Sequence, residues 1–145
     1  MKFPHYVTYT DKVAGGNAKG FYVRINPKFK DDKGMHAHEY EHVKQWYASL
    51  PIGLLIWYLV HTFAYEFSGF FIPLVVAWFS IAYGTIKPFR YWSELRAFDA
   101  YLQEHKYEPF YVDWACNALA SDYGLDVTSE VVRRDLLELK GKRNV

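Results

Sequence analysis

Two long runs without charged side chains constrain the fold of this chain most strongly. Residues 45–65 and 67–86 contain no Asp, Glu, Lys or Arg, and Glu66 alone separates them. The runs are 21 and 20 residues long, and a helix of about 20 apolar residues crosses the roughly 30 Å hydrocarbon core of a bilayer. The sequence therefore predicts an apolar helical hairpin over residues 51–86, with a short turn at 66–69.

The charges beside these runs indicate how such a hairpin is oriented. Lys44 precedes the first run, Lys87 and Arg90 follow the second, and the turn contains no basic residue. Basic residues concentrate on the cytoplasmic side of a membrane, and residues 1–10 show no secretory signal. We therefore expect a membrane-associated protein whose polar part faces the cytoplasm.

A soluble arrangement of the same hairpin is the alternative. His61, Pro73 and many aromatic residues make the two runs less apolar than spans built from Leu and Val. Hydropathy also selects helices that are buried inside proteins. The hairpin would then be covered by an apolar protein partner in a larger assembly, with His61 as an interior or interface histidine or, less simply, a metal ligand.

A motif of the form H-E-x-x-H precedes the hairpin, at His38, Glu39 and His42. Residues i and i+4 of a helix lie one above the other, so both imidazoles can bind one metal ion with Glu39 beside it. This spacing of residue types is the most specific chemical signal in the chain. It predicts a metal site on a helix.

The residues around the motif predict the bounds of that helix. Asp32 offers a capping carboxylate, and no proline follows until Pro51, so we expect a helix from Lys33 to Leu50. His36 lies two positions before His38, about 200° around the helix axis. We therefore expect His36 to be a rim or solvent residue and not a ligand.

A second amphipathic helix is predicted over Phe89–Lys106. Its apolar stripe consists of Leu95, Phe98, Tyr101 and Leu102. A catalytic zinc takes three protein ligands, and when one helix supplies two imidazoles the third ligand is commonly a carboxylate from another helix. The third ligand is therefore expected on this second helix.

The N-terminal third contains the best strand candidate, residues 21–29. Phe21, Val23 and Ile25 alternate with Tyr22, Arg24 and Asn26. This alternation of apolar and polar side chains has the period of a half-buried strand. An edge strand ahead of a metal-binding helix could pair with an extended peptide substrate. The alternative is a two-stranded flap packed on the helix. Tyr6–Thr10 is a further short strand candidate, and the rest of residues 1–19 reads as irregular.

Length and composition exclude several classes of protein. With 145 residues the chain is long enough for one domain. Its net charge of +1 provides no electrostatic footprint for nucleic acid. The single cysteine, Cys116, rules out an internal disulfide framework and a Cys-rich zinc site, and we expect it to be buried. Two short helices at 111–121 and 128–140 complete a mainly α (α+β) fold.

Two segments resemble a known family. HEYEH at His38–His42 and SELRAFDAY at Ser93–Tyr101 are similar to the metal-binding motifs of gluzincin metallopeptidases. The order of an H-E-x-x-H helix, two apolar segments and a glutamate-bearing helix is similar to that of membrane-embedded zinc proteases of the heat-shock type. The resemblance covers about half of the chain.

The resemblance implies a fold, a cofactor and a reaction. It implies one zincin-like domain over residues 1–145, with the 51–86 hairpin inserted between the two metal-binding helices. It implies Zn²⁺ bound by His38, His42 and Glu94, and Glu39 as the base that activates water to hydrolyse peptide or amide bonds in a peptide or protein substrate. The alternative function is a structural or interaction subunit of a larger viral or bacterial assembly, with an idle or structural metal. The third possibility is that the helix with the H-E-x-x-H motif binds no metal and is a surface element.

The chain departs from the family pattern in one respect. The second carboxylate of the family follows the ligand glutamate by four positions, where this chain has Phe98, and Asp99 comes at five. Asp99, Glu104 and His105 therefore remain candidates for a ligand or for a residue that orients one. The family also has a Tyr or His that stabilises the oxyanion, for which the candidates are Tyr91, Tyr101 and His105.

Overall fold

The chain is mainly helical and has one small sheet, as the sequence predicts. The computed structural model describes residues 2–143, with the backbone alone at Phe67, Ser68 and Phe70, so Met1, Asn144 and Val145 lie outside the described residues. The helices of this range are α1 Lys33–Phe63, α2 Ile72–Thr85, α3 Lys87–Glu104, α4 Pro109–Ser121 and α5 Ser129–Arg143. The strands of this range are β1 Tyr6–Tyr9, β2 Gly16–Lys19 and β3 Tyr22–Ile25.

Helix α1 begins where the sequence predicts and ends much later. The Asp32 carboxylate accepts a hydrogen bond from the Met35 N–H at 3.1 Å and caps the helix. The predicted end at Leu50 is wrong, because the helix continues through Pro51 to Phe63. A proline removes one helical hydrogen bond, but α2 packs along this stretch and the Trp78 indole donates to the Ser49 carbonyl at 2.7 Å.

Residues 51–86, which we call the apolar arm, comprise the second half of α1, a 3₁₀ segment at Tyr65–Phe71 and α2. Helix α1 is long and apolar enough to cross a membrane, a property that some core helices of soluble proteins share. Helix α2 has 14 residues and is about 21 Å long. It meets the same criteria only together with α3, from which it is bent by 99°. The second predicted run is therefore not a spanning helix of its own.

The predicted strand is not an edge strand of the sheet. The order is β1-β3-β2, with β1 parallel and β2 antiparallel to β3. Val23 and Ile25 of β3 are buried against α1, as the alternation predicts. Phe21 is exposed and precedes the strand, and the predicted extension to residue 29 is wrong because Pro27–Phe29 form a 3₁₀ turn. However, β3 is the central strand, and Gly16–Lys19, which reads as irregular, forms an edge. The sheet packs on α1 as the flap alternative predicts, but it has three strands and not two.

Helix α3 lies along the first half of α1 and carries the main core on its other side. The predicted stripe on α3 is buried, and it packs with α4 and α5. Cys116 of α4 is part of this core, as predicted. Thr128 caps α5, where its hydroxyl accepts from the Val131 N–H at 3.4 Å. This packing fixes α3 against α1 and directs Glu94 toward the H-E-x-x-H motif.

Candidate metal centre

Three side chains from two helices converge at one point. His38 and His42 come from successive turns of α1, and Glu94 comes from the middle of α3. The Nε2 atom of His38 lies 3.5 Å from Oε2 of Glu94, and Nε2 of His42 lies 3.3 Å from Oε1. One donor atom from each residue lies within 4.8 Å of the other two. The structure thus brings together the three residues that the family resemblance indicates as ligands.

The donor set fits a metal ion. Glu94 is 2 % exposed and Glu39 is 3 % exposed. Oε2 of Glu39 is buried without a hydrogen-bond partner among the described residues, and Oε2 of Glu94 has only the 3.5 Å contact with Nε2 of His38. A buried polar atom without a partner is costly, and a cation bound by the carboxylate removes that cost. Two imidazoles and a carboxylate suit several divalent transition metals, zinc among them.

The electrostatics of the metal-free cluster are those of an ion pair. Burial alone lowers the pKa of His42, but the adjacent Glu94 carboxylate outweighs it and raises that pKa to about 9. Burial raises the pKa of Glu94, but His42 and His38 outweigh it and hold the pKa well below its usual range. A metal ion that binds here near neutral pH therefore displaces a proton from His42.

Glu39 has a different environment although it is the neighbour of His38. Burial raises the pKa of its carboxyl group, and the two imidazoles oppose that rise only in part. A Cβ atom on Gly16 of β2 would collide with the Glu39 carboxylate. Glycine at this position therefore lets the edge strand approach Glu39 closely.

Gln45 and Ser93 orient His42. The Gln45 Oε1 atom lies 3.2 Å from Nδ1 of His42, and the Ser93 hydroxyl donates to the same Oε1 at 2.5 Å. The Gln45 amide in turn donates to the Ser93 carbonyl at 2.9 Å. An acceptor at Nδ1 selects the tautomer whose Nε2 is free to bind a metal. Gln45 and Ser93 thus fix the orientation of the His42 ring.

Phe98, four residues after Glu94, packs on His38. Its ring meets the His38 ring edge to face, with centroids 4.8 Å apart. Asp99 faces the opposite way, where it accepts hydrogen bonds from Tyr107, Gln103 and Arg143. The rotation of Asp99 away from the site agrees with its spacing of five from Glu94.

The remaining candidate residues lie outside the cluster. His105 is 3.2 Å from the Asp32 carboxylate at the start of α1, and Glu104 is exposed. The His36 ring contacts the Lys30 carbonyl at 2.9 Å, in agreement with its predicted rim position. His61 lies in the apolar arm and stacks on Trp57, with ring centroids 5.1 Å apart. These residues are therefore not ligands in this arrangement.

A cavity of about 340 Å³ lies in front of the three converging side chains. The β2 strand forms one wall, His38, Glu39, His42 and Glu94 form the floor, and the apolar arm forms the opposite wall. The volume is at the small end of ligand-binding cavities. It is open enough to admit a short segment of a larger molecule.

Two tyrosines that the sequence did not single out line the cavity. Tyr83 at the end of α2 donates a hydrogen bond to Oε1 of Glu94, and Tyr123 comes from the loop between α4 and α5. Arg90 holds both in place, because its guanidinium donates to the carbonyls of Tyr83 at 2.8 Å and Tyr123 at 3.2 Å.

The three predicted oxyanion candidates lie elsewhere. The Tyr91 hydroxyl donates to Asp135 at 2.8 Å, and Tyr101 packs on His105, with ring centroids 4.6 Å apart. Neither these two residues nor His105 lines the described cavity. The i+3 spacing of Gln45 from His42 could have revealed one orienting residue, but no local signal marks Tyr83 or Tyr123.

The cavity combines a group of residues that could hold a metal ion with further polar side chains. Two imidazoles and one carboxylate can hold a metal ion, a further carboxylate stands beside them, and two phenols face the same cavity. Comparisons with known protein families, with curated proteins and with solved structures find no match.

Proposed function

We propose that this protein is a zinc-dependent metallopeptidase that hydrolyses peptide or amide bonds. The observation that carries the proposal is the convergence of His38, His42 and Glu94 with the Glu39 carboxylate buried beside them. A catalytic zinc has three protein ligands and keeps one position for water, whereas a structural zinc usually has four protein ligands. The donor set of three therefore supports hydrolysis.

The residues of the cavity have separate roles in this reaction. When bound, zinc supplies a lowered pKa for a coordinated water and polarises the substrate carbonyl. Glu39 accepts the proton of the attacking water and passes it to the leaving amine. The Tyr123 phenol lines the same cavity and would donate a hydrogen bond to the carbonyl oxygen as negative charge develops on it, whereas the Tyr83 hydroxyl donates to Oε1 of Glu94.

The edge of β2 can align an extended substrate. The Asn26 N–H donates to the Gly15 carbonyl at 2.7 Å, so residues 15, 17 and 19 belong to the hydrogen-bonded pairs of the β2–β3 ladder. In an antiparallel ladder the alternate residues direct their backbone groups to the other side. The backbone of Gly16 and Ala18 therefore faces the open edge, where a peptide can add as a further strand.

The apolar arm supports association with a membrane. Exposed apolar side chains cover the face of its α1 half that α2 does not cover, at Ile52, Leu54, Leu55, Ile56, Tyr58 and Leu59. A broad apolar helix face that no protein covers is suited to lipid. Lys44 and Lys87 at the ends of the arm favour a cytoplasmic location for its base, and for the metal site with it.

A second function is favoured by the same exposed surface. An apolar arm that docks into a protein partner would make this chain a structural or interaction subunit of a larger assembly, with the metal as an idle or structural element. Coordination distinguishes the two functions, because three protein ligands and a water favour hydrolysis and a fourth protein ligand favours structure.

The test is the variant Glu39→Gln beside the wild-type protein. We expect both to bind one zinc per chain, while the variant loses hydrolysis of peptide substrates by at least about 100-fold, the scale of a lost general base. Glu41→Gln is the matched control, because Glu41 lies on the same helix, outside the cavity, and pairs with Lys44. Wild-type protein that holds zinc and cleaves neither peptides nor peptidoglycan amides would contradict the proposal.

A further inference from the structure

The cavity has two chemically different ends. The polar end contains His42 and Tyr83, and the other end is lined by the rings of Trp46 and Phe79. Trp46 follows His42 by four residues on α1, and Phe79 precedes Tyr83 by four residues on α2. Four residues of helix advance about 6 Å. Both helices therefore place an aromatic ring one turn away from the polar end.

The aromatic end is held open by contacts outside it. The Trp46 Nε1–H donates to the Val76 carbonyl at 3.0 Å, so the indole has no free polar group to present to the cavity. Phe79 is buried and packs edge to face on Phe89, with centroids 5.4 Å apart. A Cβ atom on Gly20 would lie 3.2 Å from the Trp46 ring, so glycine at this turn leaves the ring in place.

We propose that Trp46 and Phe79 form a subsite that selects a bulky apolar side chain, such as Leu, Met or Phe, beside the bond that is cut. This inference rests on the proposed peptidase function and names its substrate preference. A polar or charged side chain would lose its hydration between the two rings without gaining a partner. Lys19 and Ser80 also line the cavity, and both are exposed to solvent.

The preference is confined to one substrate position. Successive side chains of an extended peptide point to opposite faces. A peptide paired with the β2 edge therefore directs one side chain next to the cleaved bond toward the rings, while its neighbours point away. The subsite lies about one helical turn from the polar end, a distance that a single side chain spans.

The experiment uses the zinc-loaded full chain and peptides randomised at one position at a time. We expect wild-type protein to cleave peptides with Leu, Met or Phe at one flanking position roughly tenfold to a hundredfold faster than peptides with Ser or Asp there, the scale of apolar pocket discrimination. Trp46→Ala should reduce this ratio toward one, and Trp46→Phe should keep most of it. Trp92→Ala is the control, because Trp92 is an exposed aromatic residue that does not line this cavity.

A binding measurement separates failure of the subsite from failure of the proposed function. Glu39→Gln protein loaded with zinc is titrated with the same Leu and Asp peptides, and tighter binding of the Leu peptide that is lost with Trp46→Ala supports the subsite even without turnover. Cleavage or binding with no apolar preference, with a preference for Asp, or with a preference unchanged by Trp46→Ala overturns the subsite and leaves the peptidase proposal standing. If Trp46→Ala does not fold, Phe79→Leu takes its place and should shift the preference from Phe toward larger or branched side chains.

Discussion

The base of the molecule, residues 2–50 and 87–143, and the apolar arm distribute their side chains in opposite ways. In the base, polar groups are buried: Glu94 is 2 % exposed and Ser93 is fully covered. In the arm, apolar groups are exposed: Leu55 is 56 % and Phe63 is 85 % exposed. One helix, α1, runs through both regions. The first half of α1 is therefore built for an interior with specific polar partners, and the second half for apolar surroundings.

The difference shows where function and location are encoded. A buried carboxylate needs a partner; Glu94 has the imidazoles of His38 and His42, and the three side chains together could hold a metal ion. Exposed leucines need no specific partner, so the arm implies only an apolar environment. The cavity lies where the two regions meet, because Tyr83 and Phe79 of the arm complete a wall that the base leaves open.

The largest expected effect comes from removing a ligand in the base. Glu94→Ala or His38→Ala leaves two donors, and we expect zinc content to fall from about one per chain to background after dialysis. His36→Ala is the control, since His36 lies on the same helix outside the cluster. Metal analysis by mass spectrometry gives the result, and full zinc retention in Glu94→Ala would show that another residue completes the site.

A charge in the arm should have the next largest effect. Leu55 lies 11 residues after Lys44, about 16 Å along the helix, which is near the middle of a bilayer. Leu55→Lys should weaken partitioning into lipid vesicles by about 2.5 to 3.5 kcal/mol. Leu137→Lys is the control, because Leu137 is 48 % exposed on α5 in the base. Equal partitioning of the two variants would favour a protein partner for the arm.

Local sequence signals were reliable for the base. The capping Asp32, the H-E-x-x-H spacing and the stripe around Phe98 predicted the start of α1, the two histidines on one face and the buried side of α3. Each of these signals depends on residues within one or two helical turns. The spacing of Asp99 from Glu94 left it as a candidate, and only the structure shows that it instead bonds Gln103, Tyr107 and Arg143.

The predictions that were wrong, and the residues that were missed, concern features that depend on packing between distant segments. Pro51 predicted a helix end, but contact with α2 at Gly53 and Trp78 supports the helix beyond it. Gly16–Lys19 has little intrinsic strand preference and becomes a strand by pairing with β3. Tyr83 lines the cavity from the end of α2, and Tyr123 lines it from the loop between α4 and α5. No sequence motif marks either residue.

Two glycines allow smaller tests of the same contrast. A Cβ atom at Gly16 would meet the movable carboxylate of Glu39, whereas one at Gly53 would meet the backbone of Val75 in α2. Gly53→Ala should therefore lower the free energy of unfolding by about 1 to 3 kcal/mol and leave zinc affinity nearly unchanged. Gly16→Ala should lower hydrolysis by displacing Glu39, with little change in stability. Denaturation curves and zinc titrations distinguish the two, and the reverse pattern would contradict the assigned contacts.

The smallest expected effect is a pH dependence that only the base should show. In the metal-free protein the pKa of His42 rises from 6.5 to about 9, so protonated His42 stabilises the fold fully below pH 6.5 and that contribution is lost as pH rises through about 9. The lowered pKa of Glu94 makes its contribution present above about pH 4.5 and lost in acid. The melting temperature of chelator-treated protein should therefore fall by a few degrees between pH 6.5 and 9. Zinc-loaded protein should not show this fall, because metal binding favours deprotonated ligands.

Glu94→Gln removes the partner of His42 and should flatten the metal-free curve of melting temperature against pH. Vesicle partitioning of the arm should stay constant over the same pH range. Parallel curves for the metal-free and zinc-loaded proteins would show that zinc does not bind through His42.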